Sequence, residues 1–118
     1  MPIQFRELGP SYRTENEEGV ARWLKVLEEA GGEEVLRQPT FLQITLPMLE
    51  VLSVPTLVLA GDADLLAPPA LMRLLANRVK DCEVATIAEA GHSAHWERPD
   101  LWNAAVLDFL RRRADSTT

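Results

Sequence analysis

Residues 54–69 read VPTLVLAGDADLLAPP, and residues 82–99 read CEVATIAEAGHSAHWERP. In each segment a short apolar run leads into a polar cluster, Gly-Asp-Ala-Asp in the first and Gly-His-Ser in the second. The continuous apolar run in the first segment predicts a strand of a parallel sheet that is buried on both faces, and the second segment predicts another strand. Open α/β sheets place their ligand and catalytic groups just past the C-terminal ends of such strands. The two polar clusters are therefore the candidate site.

The pattern around these two loops predicts a β-α-β-α unit. Pro55 to Ala60 forms the first strand and Glu83 to Ala88 the second, and this order implies parallel strands joined by a right-handed crossover. Pro68 suits the first turn of the intervening helix, and Pro99 opens the last helix. The apolar stripes expected to face the core are Leu71, Leu74, Leu75 and Val79 on the first helix and Trp102, Ala105, Val106, Phe109 and Leu110 on the second.

The first fifty residues predict helices rather than strands. Residues 1–14 are expected to be an extended, irregular lead-in, because two prolines and a glycine interrupt any regular pattern. A helix is expected from about Glu15 and is ended by Gly31 and Gly32. A second helix-like block, Phe41 to Leu52, either bends at Pro47 or begins anew there. The face predicted for the first helix is Val20, Trp23, Leu24 and Leu27.

Composition sets the broad class of the protein. At 118 residues the chain makes one domain at most, and it is long enough to bury a core. A net charge of −6 argues against nucleic-acid binding, and we interpret Arg111-Arg112-Arg113 as cations at the negative end of a helix dipole. The longest apolar runs are too short to span a bilayer. The single cysteine, Cys82, excludes an intrachain disulfide, and we expect a cytoplasmic protein.

The first loop offers Asp62 and Asp64 after a tight glycine turn. A carboxylate at this place can hold a histidine in one tautomer and stabilise its protonated form. The competing interpretation is that both aspartates cap the following turn or helix, and for the loop taken alone this is favoured. A metal site is less favoured still, because two aspartates supply too few ligands.

The second loop offers Gly91 and His92 directly after a strand. A histidine at a strand end can act as a general base. His95 lies three residues further on, but no cysteine or glutamate pattern completes a zinc site, and packing against the last helix is the favoured role for it. Glu97 introduces the last helix and is a candidate acceptor for backbone amides.

Together the two loops resemble the C-terminal part of an α/β-hydrolase. That family's final segment typically runs from Pro-Thr-Leu through a Gly-x-x-Asp loop, a helix and a strand to Gly-His, then to Glu-x-Pro and a helix ending in Phe-Leu. By this resemblance Asp64 takes the place of the triad acid and His92 that of the triad base, whereas Asp62 does not match. The matching residues are Pro55-Thr56-Leu57, Gly61, Asp64, Gly91-His92, Glu97, Pro99 and Phe109-Leu110.

The resemblance implies a partial α/β-hydrolase-like fold, with two parallel strands in a β-α-β-α unit preceded by two or more helices. Residues 1–50 would form a helical cap-like region, residues 51–113 the hydrolase-like segment, and residues 114–118 a polar tail. The family's chemistry implies neither a cofactor nor a metal. Its substrate would be a small molecule with an ester, epoxide or related bond.

One part of the family pattern is missing from this sequence. The nucleophile normally lies on a Gly-x-Ser-x-Gly elbow that precedes the acid, and no such motif occurs here. Ser11, Ser53 and Ser93 lack the flanking glycines or the strand-to-helix position that an elbow needs. We therefore expect a truncated hydrolase segment that carries the acid and the base and is inactive alone.

Three functions stay open at this point. The chain is the acid-and-base part of a hydrolase, a non-catalytic binding or assembly module derived from such a segment, or a product without selected activity. Two parallel strands make a poor sheet by themselves. We therefore expect a homodimer, or a complex with a complementary chain, through an exposed strand edge.

Overall fold

A computed structural model describes residues 1–32 and 42–116, with side chains up to residue 114. Its helices and strands alternate in the second half of the chain, as an α/β fold requires. The elements are α1 (Ile3–Glu7), α2 (Pro10–Glu15), α3 (Glu17–Glu29), α4 (Leu46–Leu49), β1 (Thr56–Gly61), α5 (Pro69–Ala76), β2 (Cys82–Ile87), α6 (Ala94–Glu97) and α7 (Pro99–Ser116).

The sheet consists of β1 and β2, which pair in parallel. The register runs from Thr56 opposite Cys82 to Gly61 opposite Ile87, so both strands end at the same edge. The predicted parallel strands and β-α-β-α order are confirmed, with strand bounds shifted by one residue. Because both strands end together, the Asp loop after β1 and the His loop after β2 start side by side.

The best-buried core lies directly behind the His loop. Ile87 at the end of β2 is 3% exposed, Ala90 is 0% exposed, and Ala94 at the start of α6 is 7% exposed. Buried residues therefore stand on both sides of His92 in the chain. The partly buried side chains packed against them are Leu59, Trp102 and Ala105.

The helix stripes were predicted only in part. Leu71 and Leu74 are 41% and 49% exposed, and Leu110 is 54% exposed, although all three were placed on core-facing stripes. In α5 the buried residue is instead Ala76, at 6% exposure. A sheet of two strands is narrow, so only part of each apolar helix face contacts it.

The prediction of an irregular lead-in over residues 1–14 is wrong, because this segment forms α1 and α2. Pro2 is the N-cap of α1, and Pro10 is in the first turn of α2, where its missing N–H is not needed. Leu8, between the two helices, is 2% exposed. The prolines and Gly9 thus mark helix boundaries instead of preventing helices.

The predicted ending of α3 is confirmed in detail. The Gly31 amide donates to the Glu28 carbonyl at 3.0 Å, and the Gly32 amide donates to the Leu27 carbonyl at 2.9 Å. Both glycines have positive φ, at 102° and 74°. These two bonds form a Schellman motif, in which glycine takes the left-handed conformation at little cost.

Pro47 begins a new helix, which was one of the two alternatives for the block from Phe41 to Leu52. It lies in the first turn of α4, a helix of 4 residues. Phe41 lies outside the described residues. At the other end of the chain, α7 continues to Ser116, so the expected polar tail starts as helix, and residues 117–118 lie outside the described part.

The basic cluster at the end of α7 has partners at the start of β2. The Arg113 guanidinium contacts the Asp81 carboxylate at 2.7 Å and the Glu83 carboxylate at 3.0 Å, and Arg112 contacts Glu83 at 2.8 Å. Desolvation acts to raise the pKa of the Glu83 carboxyl, but hydrogen bonds and positive charge from both arginines hold it below its usual range. Specific ion pairs thus accompany the helix-dipole role expected for this cluster.

This pairing predicts a pH-dependent effect of Glu83→Gln. A carboxyl whose pKa is lowered by folding stabilises the folded state above its unfolded pKa, and the contribution is lost as pH falls through the folded pKa. We expect Glu83→Gln to lower the melting temperature at pH 7 and to have a vanishing effect as the pH is lowered from about 5. Thermal melts at several pH values test this, and an equal loss at all pH values would contradict it.

Candidate active site

Glycine and backbone hydrogen bonds join the two loops at the ends of β1 and β2. A Cβ added at Gly61 would overlap the carbonyl oxygen of Ala90 in the His loop. Beyond the strands, the Asp62 amide donates to the Ile87 carbonyl at 3.1 Å. The Ala63 amide donates to the Ala90 carbonyl at 2.9 Å. The backbone pairing therefore continues past the sheet and fixes one loop against the other.

Asp64 and His92 form a hydrogen-bonded pair. The distance from His92 Nδ1 to Asp64 Oδ2 is 2.9 Å, so the structure brings together the two residues that the resemblance singled out. The Asp64 side chain is 6% exposed and that of His92 is 44% exposed. An ionised carboxylate has only acceptors, so Nδ1 carries the proton and Nε2 keeps a lone pair. A histidine held in this way can accept a proton at Nε2.

The second carboxylate oxygen of Asp64 holds its own loop. Asp64 Oδ1 accepts hydrogen bonds from the amides of Leu66 at 2.8 Å and Ala67 at 3.0 Å. The capping interpretation and the histidine-orienting interpretation are thus both realised, by different oxygens of one side chain. Asp62, the other candidate, is exposed. Asp64, whose carboxylate is held by these bonds, is also the aspartate that matches the family pattern.

Glu97, the last residue of α6, has a buried carboxylate that accepts two backbone amides. The Gly9 amide donates to Oε1 at 2.7 Å, and the Gly91 amide donates to Oε2 at 3.0 Å. The residue is 6% exposed. Burial raises the pKa of the Glu97 carboxyl, against the opposing effect of the two amides and of the positive charges of Arg98 and Arg13. The expected role as an acceptor of backbone amides is confirmed.

The turn between α1 and α2 forms one wall of the His loop. The Ser93 amide donates to the Glu7 carbonyl at 3.0 Å. A Cβ added at Gly91 would lie 2.6 Å from the Gly9 nitrogen and 2.9 Å from the Glu7 oxygen. Only glycine lets these two backbones approach so closely. The residues before and after His92 therefore both contact this turn.

A cavity of about 230 Å³ lies between the N-terminal helices and the Asp loop. Arg13 crosses its wall, with its guanidinium 4.3 Å from the centre of the Phe5 ring and its Nε donating to the Leu8 carbonyl at 3.1 Å. The first two helices and the Asp loop thus enclose one concave surface beside the Asp64–His92 pair. The lining residues are Phe5, Leu8, Pro10, Arg13, Asp62, Ala63, Asp64 and Leu65.

Sequence comparisons point to hydrolases. No protein-family model matches the chain. The chain is similar to a 2-hydroxy-6-oxononadienedioate/2-hydroxy-6-oxononatrienedioate hydrolase of Klebsiella pneumoniae, with 40% identity over 67 residues that make up 56% of this chain. The chain spans 23% of the length of this relative, and the similarity is confined to the C-terminal part.

Structural comparison covers more of the chain. A thermophilic esterase from Thermogutta terrifontis superposes on 91% of this chain with a TM-score of 0.78 and 26% identity, and the match covers 40% of that esterase. MGS-M2, an α/β-hydrolase enzyme from a deep-sea metagenome library, superposes on 92% of this chain and 42% of its own, with a TM-score of 0.67 and 20% identity. The chain has a partial α/β-hydrolase fold.

His95 does not join the Asp64–His92 pair. It is exposed, and its ring meets Trp102 of α7 edge-on, with 6.2 Å between the ring centres. This contact is the packing role expected for it. Among residues 1–32 and 42–116, no three histidine, cysteine, aspartate or glutamate side chains are grouped as metal ligands would be.

Ser11, Ser53 and Ser93, the serines weighed as nucleophiles, all lie at structural positions. Ser93 is 7% exposed and is the N-cap residue of α6, directly after His92. Ser11 lies within α2, and Ser53 is exposed ahead of β1. None of the three lies at a strand-to-helix elbow, which is where the family carries its nucleophile.

The backbone of residues 7–9 is the part of the site that sequence reasoning missed. Its contribution comes through main-chain atoms and a close glycine approach, neither of which leaves a side-chain motif. One available signal was Gly9 followed by Pro10, which is typical of a tight boundary before a helix. The residue that accepts the Gly9 amide, Glu97, lies 88 residues away in the chain.

Proposed function

We propose that this chain supplies the acid and the base of a hydrolytic triad, Asp64 and His92, to a site whose nucleophile comes from another segment. The single observation that carries the proposal is the 2.9 Å contact between Asp64 and His92 Nδ1, made at the shared end of two parallel strands. The nucleophile-bearing segment is either part of a longer protein or a separate chain.

The chemistry follows from the orientation of the imidazole. His92 Nε2 takes the proton of the attacking hydroxyl, and the same proton then goes to the leaving group. The Asp64 carboxylate stabilises the imidazolium that forms between these two steps, and it stays ionised throughout. The partner segment would provide the nucleophile and the amides that bind the developing oxyanion.

The reaction class we propose is hydrolysis of an ester, epoxide or related bond in a small molecule. Support comes from the names of similar proteins, an esterase and a hydrolase of an oxo-dienedioate. Their substrates are their own, since the chain matches only part of each. We propose no cofactor, because the triad mechanism uses only protein groups.

A chimera tests this proposal. The segment of the Thermogutta terrifontis esterase that superposes on this chain is replaced by residues 1–113, and hydrolysis of a p-nitrophenyl ester is measured. We expect the chimera to turn over the ester and the isolated chain to show no more activity than free imidazole, because it lacks a nucleophile. If the isolated chain were active and His92→Ala abolished this activity, the proposal that the nucleophile comes from another segment would be contradicted. A folded but inactive chimera would contradict the assignment of acid and base.

A second candidate function is a non-catalytic assembly module. Its support is that, within the described residues, β1 and β2 each pair on one side only. Several large apolar side chains of β2, α5 and α7 are also exposed, among them Val84 at 43%, Leu74 at 49% and Leu107 at 48%. An open strand edge beside apolar surface is a template for another chain.

We predict that this edge takes a strand from a second copy or from a complementary chain. Two strands alone give little independent stability, and pairing satisfies their outward amides and carbonyls. Light scattering over a concentration series should show a dimer that dissociates on dilution, or a complex when the partner is present. A monomer at micromolar concentration with a cooperative melt would exclude this assembly.

For the compartment we propose the cytoplasm, without a role for nucleic acid or membrane. Support comes from the free thiol of Cys82, which suits a reducing setting, and from the net charge of −6. In the part of the chain that the structure describes, no helix combines the length and hydropathy needed to cross a bilayer.

A further inference from the structure

We propose that Glu97 is a positioning residue for His92. It acts by holding the amides of Gly91 and Gly9 on one buried carboxylate, which fixes the base of the His92 loop against the turn between α1 and α2. This inference rests on the proposed role of His92 as the base. It adds a residue that touches neither the imidazole nor any reacting atom.

The contacts place His92 between two fixed points. On one side, Gly91 donates its amide to Glu97 Oε2 at 3.0 Å. On the other, Ser93 donates its amide to the Glu7 carbonyl at 3.0 Å. Both points depend on the 7–9 turn, because Gly9 donates to Glu97 Oε1 at 2.7 Å. The imidazole then has to reach Asp64 from a backbone whose position Glu97 sets.

The buried setting makes the carboxylate hard to replace. Glu97 is 6% exposed, so water cannot easily take over either amide. A Cβ at Gly9 would lie 2.9 Å from both Glu97 Oε1 and the Gly91 nitrogen, which leaves no room for a rearranged contact. A buried amide that loses its acceptor is left without a hydrogen bond, and this costs the full desolvation penalty of that amide.

The two amide donors also require two acceptor oxygens. Glu97→Gln keeps the shape of the side chain but offers one oxygen and one NH₂ group. Whichever way this amide turns, its NH₂ group faces a backbone N–H. One of the two anchors is therefore lost, and His92 can move away from Asp64.

Imidazole NMR of the isolated chain tests the proposal. The chain has 2 histidines, so two-bond ¹H–¹⁵N spectra resolve His92 from His95 and report which nitrogen of each carries the proton. The spectra are taken near pH 8.5, roughly two units above the ordinary imidazole pKa. We expect wild-type His92 to be mainly the tautomer with its proton on Nδ1, with a small Nε2-protonated population. In Glu97→Gln we expect the Nε2-protonated population to rise roughly threefold or more, the effect of one lost hydrogen bond.

The matched control is Glu89→Gln in the same loop. Glu89 has an exposed side chain, at 64%, which pairs with Arg98 at 3.1 Å, and the Gly9 and Gly91 amides donate to Glu97 instead of to its carboxylate. The same chemical change there should leave the His92 spectrum unchanged. His95 serves as an internal reference and should be unchanged in both variants. A uniform loss of structure would alter both histidines and the far-ultraviolet circular dichroism.

The result that overturns the proposal is a folded Glu97→Gln variant with the wild-type His92 tautomer. If the variant does not fold, hydrogen exchange of the wild-type chain decides. Protection of the Gly9 and Gly91 amides, together with loss of the His92 tautomer in Gly9→Ala, supports the proposal, whereas fast exchange at Gly91 overturns it. None of these readouts needs hydrolysis. An inactive chimera would therefore count against the proposed function alone.

Discussion

Gly61→Ala is expected to lower the free energy of unfolding by about 3 kcal/mol. The new Cβ would overlap the carbonyl oxygens of Ala90 and Gly91. Both are backbone atoms, so no side chain can rotate away. The Ala63 amide donates to the same Ala90 carbonyl, and the Asp62 amide donates to Ile87 at the end of β2, so relief of the overlap would cost those hydrogen bonds as well.

Gly32→Ala is the matched control for this prediction. It adds the same methyl group at a residue with φ of 74°, where, among the described residues other than its chain neighbours, no atom lies within 4 Å of the new Cβ. The expected loss there is about 1 kcal/mol, from the left-handed backbone alone. Urea denaturation of both variants measures the difference. Equal losses in the free energy of unfolding would mean that the two loops separate easily. The inference that Asp64 lies in a rigid loop would then be wrong.

The strands and the Asp64–His92 pair could be predicted from sequence because their signals are local. Each strand is an apolar run that ends in glycine plus a titratable side chain, and parallel strands bring such ends together. The choice of Asp64 over Asp62 came from the spacing of a family pattern. Physical chemistry alone left capping and catalysis open, and the structure shows that the Asp64 carboxylate does both kinds of bonding.

The N-terminal helices could not be predicted because they are stabilised from far away. α1 and α2 have 5 and 6 residues, too short to show a helical period in the sequence. Their connection is held by Leu8 in the core and by the Gly9 amide on Glu97, across 88 residues. A local pattern carries no information about such a contact.

The sequence also could not predict how much of each apolar helix face is buried. Leu71, Leu74 and Leu110 belong to correct amphipathic stripes, and yet all three are more than 40% exposed. Periodicity shows which face is apolar, but it does not show how much surface is available to cover that face. With two strands, the sheet covers only part of it. These exposed leucines also favour the proposal that a partner chain covers the sheet.

In the esterase chimera, His92→Ala is expected to lower kcat/KM by roughly 10⁴-fold or more, because the nucleophile loses its base. Asp64→Asn should cost about 10⁴-fold, in line with the loss known for the corresponding change in a serine protease. The reason lies in the loop. The Leu66 and Ala67 amides require an oxygen at their end of the side chain, so the new NH₂ group must face His92. That donor forces Nδ1 to accept, moves the proton to Nε2 and removes the base.

Asp62→Asn is the control for this charge change, and it should stay within about twofold of the unchanged chimera because Asp62 is exposed and lies outside the pair. Steady-state rates give the ratio, and the imidazole ¹⁵N spectrum of each variant shows whether the tautomer has changed. If Asp64→Asn kept the activity while its spectrum showed the proton on Nε2, His92 could not be the base. The mechanism would then need another proton acceptor beside the nucleophile.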